Sequence, residues 1–399
     1  MTLRKFSAEV HQAFAAVQRA LDELFAVPSP EETVLVACSG GADSLALAVA
    51  TAQAAKRVGR TTRKKGRPIR AGAVIIDHGL QDGSAAAAQK TATQCQALGL
   101  DPVQTWDISV PQTGQGLEAA AREARYAAFA EAALETGARA VLLGHTLDDQ
   151  AESVLLGLAR GSGARSLAGM PRIRPLDTTD SEASETSSRH PAAPSVEEPR
   201  SGVSKPRGSQ DLLSLTMEPG RKTKGYEALI LRPFLEVSRE TTEQICALFG
   251  LEPWFDPTNS PSYDGKHPKR NRIRNEALPV LEQAAGPGIK QNLARTAALL
   301  REDADALDFY ALQCLADAKH AASLDIATLE EAPSAVRNRV LRMFLVENGV
   351  PPTAATRALV ASISALIDDW RGQGGVYLPG NAVIRRVCGT LSLEVAQNK

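Results

Sequence analysis

The chain has 399 residues, 43% of them hydrophobic, which is enough apolar content for two or three domain cores at about 150 residues per domain. No run approaches the ~18 uninterrupted apolar residues of a membrane span, which argues against membrane insertion. The 45 basic and 46 acidic residues nearly cancel, so any nucleic-acid binding is confined to local clusters, and five scattered cysteines with no close pair in the sequence argue against zinc and disulfide scaffolds.

Residues 1–32 predict an N-terminal amphipathic helix. Glu9, Asp22 and Glu23 interrupt its apolar positions, so the segment lacks the continuous apolar core of a secretory signal. We therefore expect a cytoplasmic protein with no membrane partner.

From Thr33 to Gly169 short apolar runs alternate with helical stretches, as in TVLVACSGG, AGAVIIDHG and ARAVLLG. Strands this apolar are typical of a parallel sheet covered by helices on both faces, which predicts an α/β domain. Residues 176–226 are dominated by Ser, Thr, Pro, Glu and Arg and predict a disordered insertion. A strand, turn and helix follow it, so the insertion interrupts one catalytic domain that spans residues 33–281.

Residues 288–399 predict a smaller domain of different character. Helical patterns extend over most of it, and the sequence GVYLPGNAVIRRVCGTLSLEV then predicts three strands joined by two turns. We expect a helical domain that ends in a β-meander.

The strongest chemical signal lies between the first strand and its helix, at Ser39, Gly40, Gly41, Ala42, Asp43 and Ser44. Glycines allow backbone N–H groups to approach an anion, and the helix N-terminus favours phosphate. Asp43 would repel a phosphate unless a divalent cation lay between them, which implies Mg²⁺. The loop lacks the spacing of the Walker and dinucleotide-binding motifs.

A second signal follows a later strand, where His145, Asp148, Asp149 and Glu152 are spaced i, i+3, i+4 and i+7 on one helix face. Thr146 and Asp149 also match a capping box, which is the purely structural interpretation. Capping accounts for Asp149 but not for His145 or Glu152, so we interpret the face as functional.

In their order along the chain, SGGADS, the DHGL element with Asp77 and His78, GHTLDDQAE, RPFLEVSR (Arg232 to Arg239), DPTN (Asp256 to Asn259) and RNRIR (Arg270 to Arg274) resemble the tRNA(Ile)-lysidine synthase family of PP-loop ATPases. The resemblance covers Val34 to Leu281. One position departs from it, because this chain has Phe255 where the family usually has an acid.

The resemblance implies a ligase that uses ATP to adenylate the wobble cytidine of an isoleucine tRNA with a CAU anticodon and then joins free L-lysine to it. Ser39 to Ser44, Asp77 and His78 would bind the nucleotide, and Asp43 and Asp149 would hold Mg²⁺. The catalytic residues would be Asp43, His145, Asp149 and Glu152, with Asp149 or Glu152 as a base for the lysine amine. A homodimer is left open.

Two basic clusters differ in their interpretation. Residues 56–70 are most simply a solvated loop. The second cluster closes the catalytic domain and matches the family, so we expect it to contact tRNA phosphates through Lys266, Lys269, Arg270, Arg272 and Arg274. Glu118 and Arg122 are either a helix-stabilising i, i+4 pair or part of the family's site.

Two alternatives to lysine ligation remain at this point. A tRNA thiolase of the same ATPase class would need paired cysteines, and none of the five lies close to another in the sequence. A noncatalytic RNA-binding protein on the same scaffold would not be expected to retain SGGADS and the polar helix face.

Overall fold

The computed structural model describes residues 6–26, 32–58, 69–77, 79, 83–108, 117–161, 163–176, 228–255 and 269–395. These residues form two compact units that divide between Ala298 and Leu299. The predicted insertion, apart from its first residue, and the DPTN motif lie outside the described residues.

The first unit is built on a six-stranded sheet with the order β3-β2-β1-β4-β6-β5. All of its pairs are parallel except β5 with β6. This confirms the predicted α/β class with a mostly parallel sheet. The antiparallel edge strand β5 was not predicted, because its sequence IRP contains a single aliphatic residue beside Arg and Pro, whereas the equally short β6 is the apolar run LIL. The strands are β1 (Thr33–Ala37), β2 (Arg70–Asp77), β3 (Val103–Asp107), β4 (Ala138–Leu143), β5 (Ile173–Pro175) and β6 (Leu229–Leu231).

Helices cover both faces of this sheet. They are α1 (Ala8–Leu24), α2 (Ala42–Val58), α3 (Ser84–Ala97), α4 (Leu117–Thr136), α5 (Leu147–Ala159), α6 (Ala164–Leu167) and α7 (Arg239–Leu248). Successive residues of β1 point to opposite faces, so Val34 and Val36 pack in the core that contains α1, α2, α3 and α7, whereas Leu35 packs against α4. Both sets of residues are apolar because the sheet is buried on both sides.

The chain of the first unit continues through α8 (Lys269–Arg272), a π-helical turn (Ile273–Ala277) and α9 (Leu278–Ala285) into α10 (Ile289–Ala318), within which the division falls. None of the described helices combines the length and the hydropathy that a membrane crossing requires.

The second unit contains an antiparallel sheet with the order β7-β8-β11-β10-β9 and helices packed on one face of it. Ile384, Leu391 and Leu378 from the sheet share a core with Phe344 and Ile363 from the helices. The predicted meander corresponds to β9 (Val376–Leu378), β10 (Ala382–Val387) and β11 (Thr390–Val395), whereas β7 (Lys319–His320) and β8 (Ser323–Asp325) were too short to predict. The helices are α11 (Ile326–Glu331), α12 (Ser334–Glu347) and α13 (Arg357–Asp368).

Candidate active site

The loop between β1 and α2 lies at the carboxyl edge of the parallel sheet, where open α/β sheets bind ligands. Gly40 has φ +84°, and a Cβ at this position would lie 2.5 Å from the Thr91 hydroxyl, so only glycine fits. The Ser44 hydroxyl donates to the Gly41 carbonyl at 2.9 Å and lies 3.3 Å from the Ser39 hydroxyl. The loop thus leads directly into the N-terminus of α2, whose first N–H groups are available to an anion.

The loop after β4 packs tightly against the phosphate loop. A Cβ on Gly144 would lie 3.0 Å from the carbonyl carbon of Asp43 and 3.1 Å from the backbone nitrogen of Ser44. This close approach needs glycine, and it places His145 and the N-terminus of α5 beside the predicted nucleotide site.

The predicted capping box of α5 is present. The backbone N–H and the hydroxyl of Thr146 donate to Oδ2 of Asp149 at 2.8 and 3.0 Å. The second oxygen of Asp149 faces the site instead, and Glu152, one turn further along, has no exposed surface. Asp149 therefore serves as a cap and as a site carboxylate at once.

Arg239, the first residue of α7, lies among the acidic side chains of the site. Its backbone N–H donates to Asp148 at 2.9 Å, and its guanidinium lies 3.4 Å from Asp43, 3.3 Å from Asp149 and 3.9 Å from Glu152. Sequence reasoning quoted this arginine within a motif but gave it no role. Only its position after the helix cap Ser238 was visible in the sequence, and a cap does not show which carboxylates lie opposite.

The ionised form of Asp43 is stabilised by Thr242 and Arg239 and destabilised by burial and by the charge of Asp149. The Thr242 hydroxyl donates to its Oδ1. Burial raises the pKa of Asp43, and the neighbouring charge of Asp149 raises it further, while Arg239 lowers it only in part. The net shift is upward, so the folded protein disfavours the ionised form of this carboxylate.

Asp149 and Glu152 are shifted in opposite directions. Burial raises the pKa of Glu152, and the nearby charge of Asp149 adds to this effect. Burial alone would also raise the pKa of Asp149, but the charges of Arg239 and His145 lower it below its ordinary value. Titratable groups whose environments separate their pKa values in this way are typical of acid and base pairs in active sites.

Two arginines that the sequence assigned to tRNA binding lie against the same carboxylates. Arg274 forms a bidentate ion pair with Glu152, in which its Nε and Nη2 lie 2.7 and 3.1 Å from the two carboxylate oxygens. Its Nη2 also lies 3.4 Å from Asp149. Arg270 lies 3.4 Å from Glu152 and donates to Ser153 at 2.8 Å. The predicted catalytic and predicted tRNA-binding residues are thus brought into direct contact, which the sequence did not indicate.

The remaining cations of this region differ in exposure. Lys269 is exposed, and the side chain of Arg272 is 64% exposed beside Glu276 of its own helical turn. Lys290, which sequence reasoning did not identify, lies 3.2 Å from Asp148 and 3.6 Å from Glu282. Lys266 lies outside the described residues.

Other predicted residues are placed as follows. Asp77 ends β2 at the same sheet edge and accepts a hydrogen bond from the N–H of Gly79 at 2.9 Å, whereas His78 lies outside the described residues.

Arg122 donates to the Tyr126 hydroxyl at 3.3 Å, but the side chain of Glu118 is not among those described, so the predicted Glu118–Arg122 pair stays a prediction. Most of the first basic cluster, residues 59–68, also lies outside the described part of the chain.

The donor chemistry of the site fits a magnesium ion. Asp43 and Asp149 supply hard carboxylate oxygens close enough for each charge to affect the other. Within the described residues no group of three or more His, Cys, Asp or Glu side chains could hold a metal. Two carboxylates suit Mg²⁺, which usually takes its other ligands from substrate phosphates and water.

The chain is similar to known proteins over almost its whole length. A family described as PP-loop domain matches residues 14–181, and one described as TilS substrate binding domain matches residues 324–392. The tRNA(Ile)-lysidine synthase of Salinispora arenicola is 42% identical over 95% of this chain and 96% of its own length. The tRNA(Ile)-lysidine synthase of Thermobifida fusca is 44% identical over 92% of this chain and 91% of its own. Among solved structures, the U34-tRNA thiolase NcsA from Methanococcus maripaludis is 14% identical with a TM-score of 0.44, over 73% of this chain and 80% of that one, a likeness too weak to support an inference.

Proposed function

The chain belongs to the tRNA(Ile)-lysidine synthase family, and from this membership we infer that it is a ligase that forms lysidine on isoleucine tRNA with ATP as its energy source. The observation that carries this conclusion is the 42% identity over 95% of the chain. ATP is converted to AMP and pyrophosphate, as is characteristic of the PP-loop family.

The residues of the phosphate loop are suited to ATP cleavage between the α and β phosphates. In this proposal the N-terminus of α2 and the hydroxyls of Ser39 and Ser44, which lie 3.3 Å apart in the loop that leads into it, would bind the phosphates. Asp43 and Asp149 would hold Mg²⁺, which when bound neutralises charge on the phosphates. Arg239 stays positively charged, because the nearby charges of Asp149, Asp43 and Glu152 outweigh its burial and raise its pKa. It therefore holds these like charges together.

The two helix carboxylates have different roles in this proposal. The lysine amine must lose a proton before it attacks the activated cytidine carbon. Glu152 is the better base, because a raised pKa makes a carboxylate a stronger proton acceptor near neutral pH. Asp149, whose pKa is lowered, stays ionised and attracts the substrate ammonium or the metal ion. The lysine substrate is free L-lysine, and the tRNA carries a CAU anticodon.

The described cysteines do not support sulfur transfer. Cys38, Cys95 and Cys246 are distant in sequence yet lie in one core cluster, each at most 2% exposed. The hydrogen bond between Cys38 and Cys95 lowers the pKa of Cys38 and raises that of Cys95, and both thiols are buried away from any substrate. Cys314 and Cys388 belong to the second unit. The thiolase alternative thus lacks an accessible cysteine pair beside the phosphate loop.

The direct test follows radiolabelled lysine into isoleucine tRNA in the presence of ATP, with mass spectrometry of the modified nucleoside. Incorporation that requires ATP and the CAU anticodon supports the proposal. Replacing lysine by a sulfur donor should give no product. A thiolated nucleoside, or no modification at all, would contradict lysine ligation.

A further inference from the structure

Both oxygens of the Glu152 carboxylate are held by guanidinium groups. Arg274 contacts Oε1 through Nε at 2.7 Å and Oε2 through Nη2 at 3.1 Å. Arg270 lies 3.4 Å from Oε2, and Arg239 lies 3.9 Å from Oε1. The side chain of Glu152 is 0% exposed, so nothing from solvent can touch it in this arrangement.

A substrate amine can therefore reach Glu152 only if a guanidinium moves. The neighbouring carboxylate offers no easier route, because one oxygen of Asp149 caps α5 and the other lies 3.3 Å from Arg239 and 3.4 Å from Arg274. Arg239 is anchored through its backbone N–H to Asp148, at the start of a ten-residue helix. Arg270 and Arg274 contact this site through their side chains alone. We therefore expect these two guanidinium groups, rather than that of Arg239, to move away from Glu152.

Residues 269–277 have the surface properties of a phosphate-binding element. Lys269 and Arg272 on the same segment are exposed, and the side chains of Arg270 and Arg274 keep 34% and 25% of their surface accessible. A guanidinium binds a phosphate through the same two-pronged geometry that it uses with a carboxylate. Arg274 also lies in a π-helical turn, a geometry found often at functional sites.

We propose that Arg270 and Arg274 exchange partners during substrate binding, leaving Glu152 for tRNA phosphates and thereby opening Glu152 to the lysine amine. The inference rests on the proposed function, in which Glu152 faces that amine. Withdrawing the arginines alone would leave a buried carboxylate without a counter-charge, which is strongly unfavourable. Binding of the lysine ammonium alone would place a further positive charge beside the guanidinium groups that surround Glu152. The two replacements are favourable together, so tRNA and lysine bind cooperatively.

The first test is the coupling in the wild-type protein, measured by calorimetry without ATP so that no reaction occurs. Allosteric coupling is commonly about 5- to 150-fold, and we expect the Kd of lysine to fall by at least about 10-fold when isoleucine tRNA is bound. By linkage, lysine must lower the Kd of tRNA by the same factor. A lysine Kd that is the same with and without tRNA overturns the proposal.

The second test compares Arg274→Gln with Arg272→Gln, an equal loss of charge two residues away in the same segment. Arg272→Gln should weaken tRNA binding but leave the coupling factor within about twofold of the wild type, since Arg272 does not contact Glu152. Arg274→Gln should bring the coupling factor close to one. Equal loss of coupling in both variants would show a general charge effect and overturn the exchange.

Arg274→Lys covers the case in which Arg274→Gln does not fold, because it keeps a charge beside Glu152 but removes the two-pronged geometry. Its coupling factor should fall well below the wild-type value, and an unchanged factor contradicts the proposal. Failure of the exchange is distinguishable from failure of the proposed function. Wild-type protein that incorporates labelled lysine but binds lysine and tRNA independently loses only the exchange, whereas absence of incorporation contradicts lysine ligation itself.

Discussion

The two units use buried and half-buried charges in different ways. In the second unit, the ion pairs Arg339 with Asp308 at 2.7 Å and Arg337 with Asp368 at 2.8 Å each join an arginine to a carboxylate on a different helix. In the first unit, Asp43, Asp149 and Glu152 share Arg239, and the charge of Asp149 raises the pKa values of the other two carboxylates.

The comparison separates charges that stabilise a fold from charges that prepare a reaction. An ion pair between one arginine and one carboxylate balances both charges. A buried cluster of carboxylates is costly, because burial raises the pKa values of Asp43 and Glu152 and the neighbouring charge of Asp149 raises them further. Crowding of this kind is expected where a metal ion, a phosphate or a substrate ammonium binds later.

The largest effect should follow Glu152→Gln, which removes the proposed base while keeping the shape of the side chain. We expect kcat for lysine transfer to fall about 100- to 10,000-fold, the usual contribution of a general base. In the wild type, kcat should decline as pH falls through the raised pKa of Glu152, because the protonated acid cannot accept a proton. Steady-state kinetics across pH would show this acid limb, and its persistence in the variant would exclude Glu152 as the base.

Asp43→Asn should lower kcat by about 100- to 1,000-fold, as expected when one electrostatic partner of a charged transition state is removed. Although Asp43→Asn lowers kcat, it should not lower the stability of the fold near pH 7. The folded-state pKa of Asp43 is raised, so the stability that its protonated form contributes is lost as pH rises through that pKa. The variant should therefore melt no lower than the wild type near pH 7, and its advantage should disappear in acid. Melting temperatures from pH 4 to pH 8 check this, and a large loss at pH 7 would refute it.

Asp308→Asn supplies the matched change in the second unit. It removes one partner of the half-buried pair with Arg339, and we expect a loss of about 1–2 kcal/mol in the free energy of unfolding. The KM for ATP should stay within about twofold of the wild type. Denaturant titration and ATP kinetics together test this, and a fall in kcat as large as that expected for Asp43→Asn would contradict the distinction between the two units.

The smallest effect on activity should follow replacement of all five cysteines by Ala or Ser. Lysine incorporation should stay within about threefold of the wild type, because the thiols nearest the phosphate loop are buried in the core. Some stability should be lost at Cys38, Cys95 and Cys246, where small cavities or buried hydroxyls replace the sulfur atoms. Loss of lysine transfer in a variant that is still folded by circular dichroism would favour sulfur chemistry.

The sequence by itself determined the α/β class, the glycine loop between β1 and α2, and the cap at the start of α5. These features are local. Strands buried on both faces show as short apolar runs, the glycines and Ser44 sit within one turn, and the Thr146 to Asp149 cap spans three residues. The edge strand β5 and the pair β7 and β8 escaped prediction because their sequences IRP, KH and SLD contain no apolar run, unlike the equally short β6 and β9.

Only the tertiary structure decided which charges meet. Arg239 lies 90 residues along the chain from Asp149, and Arg274 lies 122 residues from Glu152. Sequence reasoning therefore placed Arg274 in a tRNA-binding site separate from the carboxylates and gave Arg239 no role. The crossovers of a parallel sheet bring the loops after its strands to one edge, and spacing along the chain does not record which side chains face each other there. The opposite pKa shifts of Asp149 and Glu152, and the contact between the predicted tRNA-binding and catalytic residues, follow from that convergence.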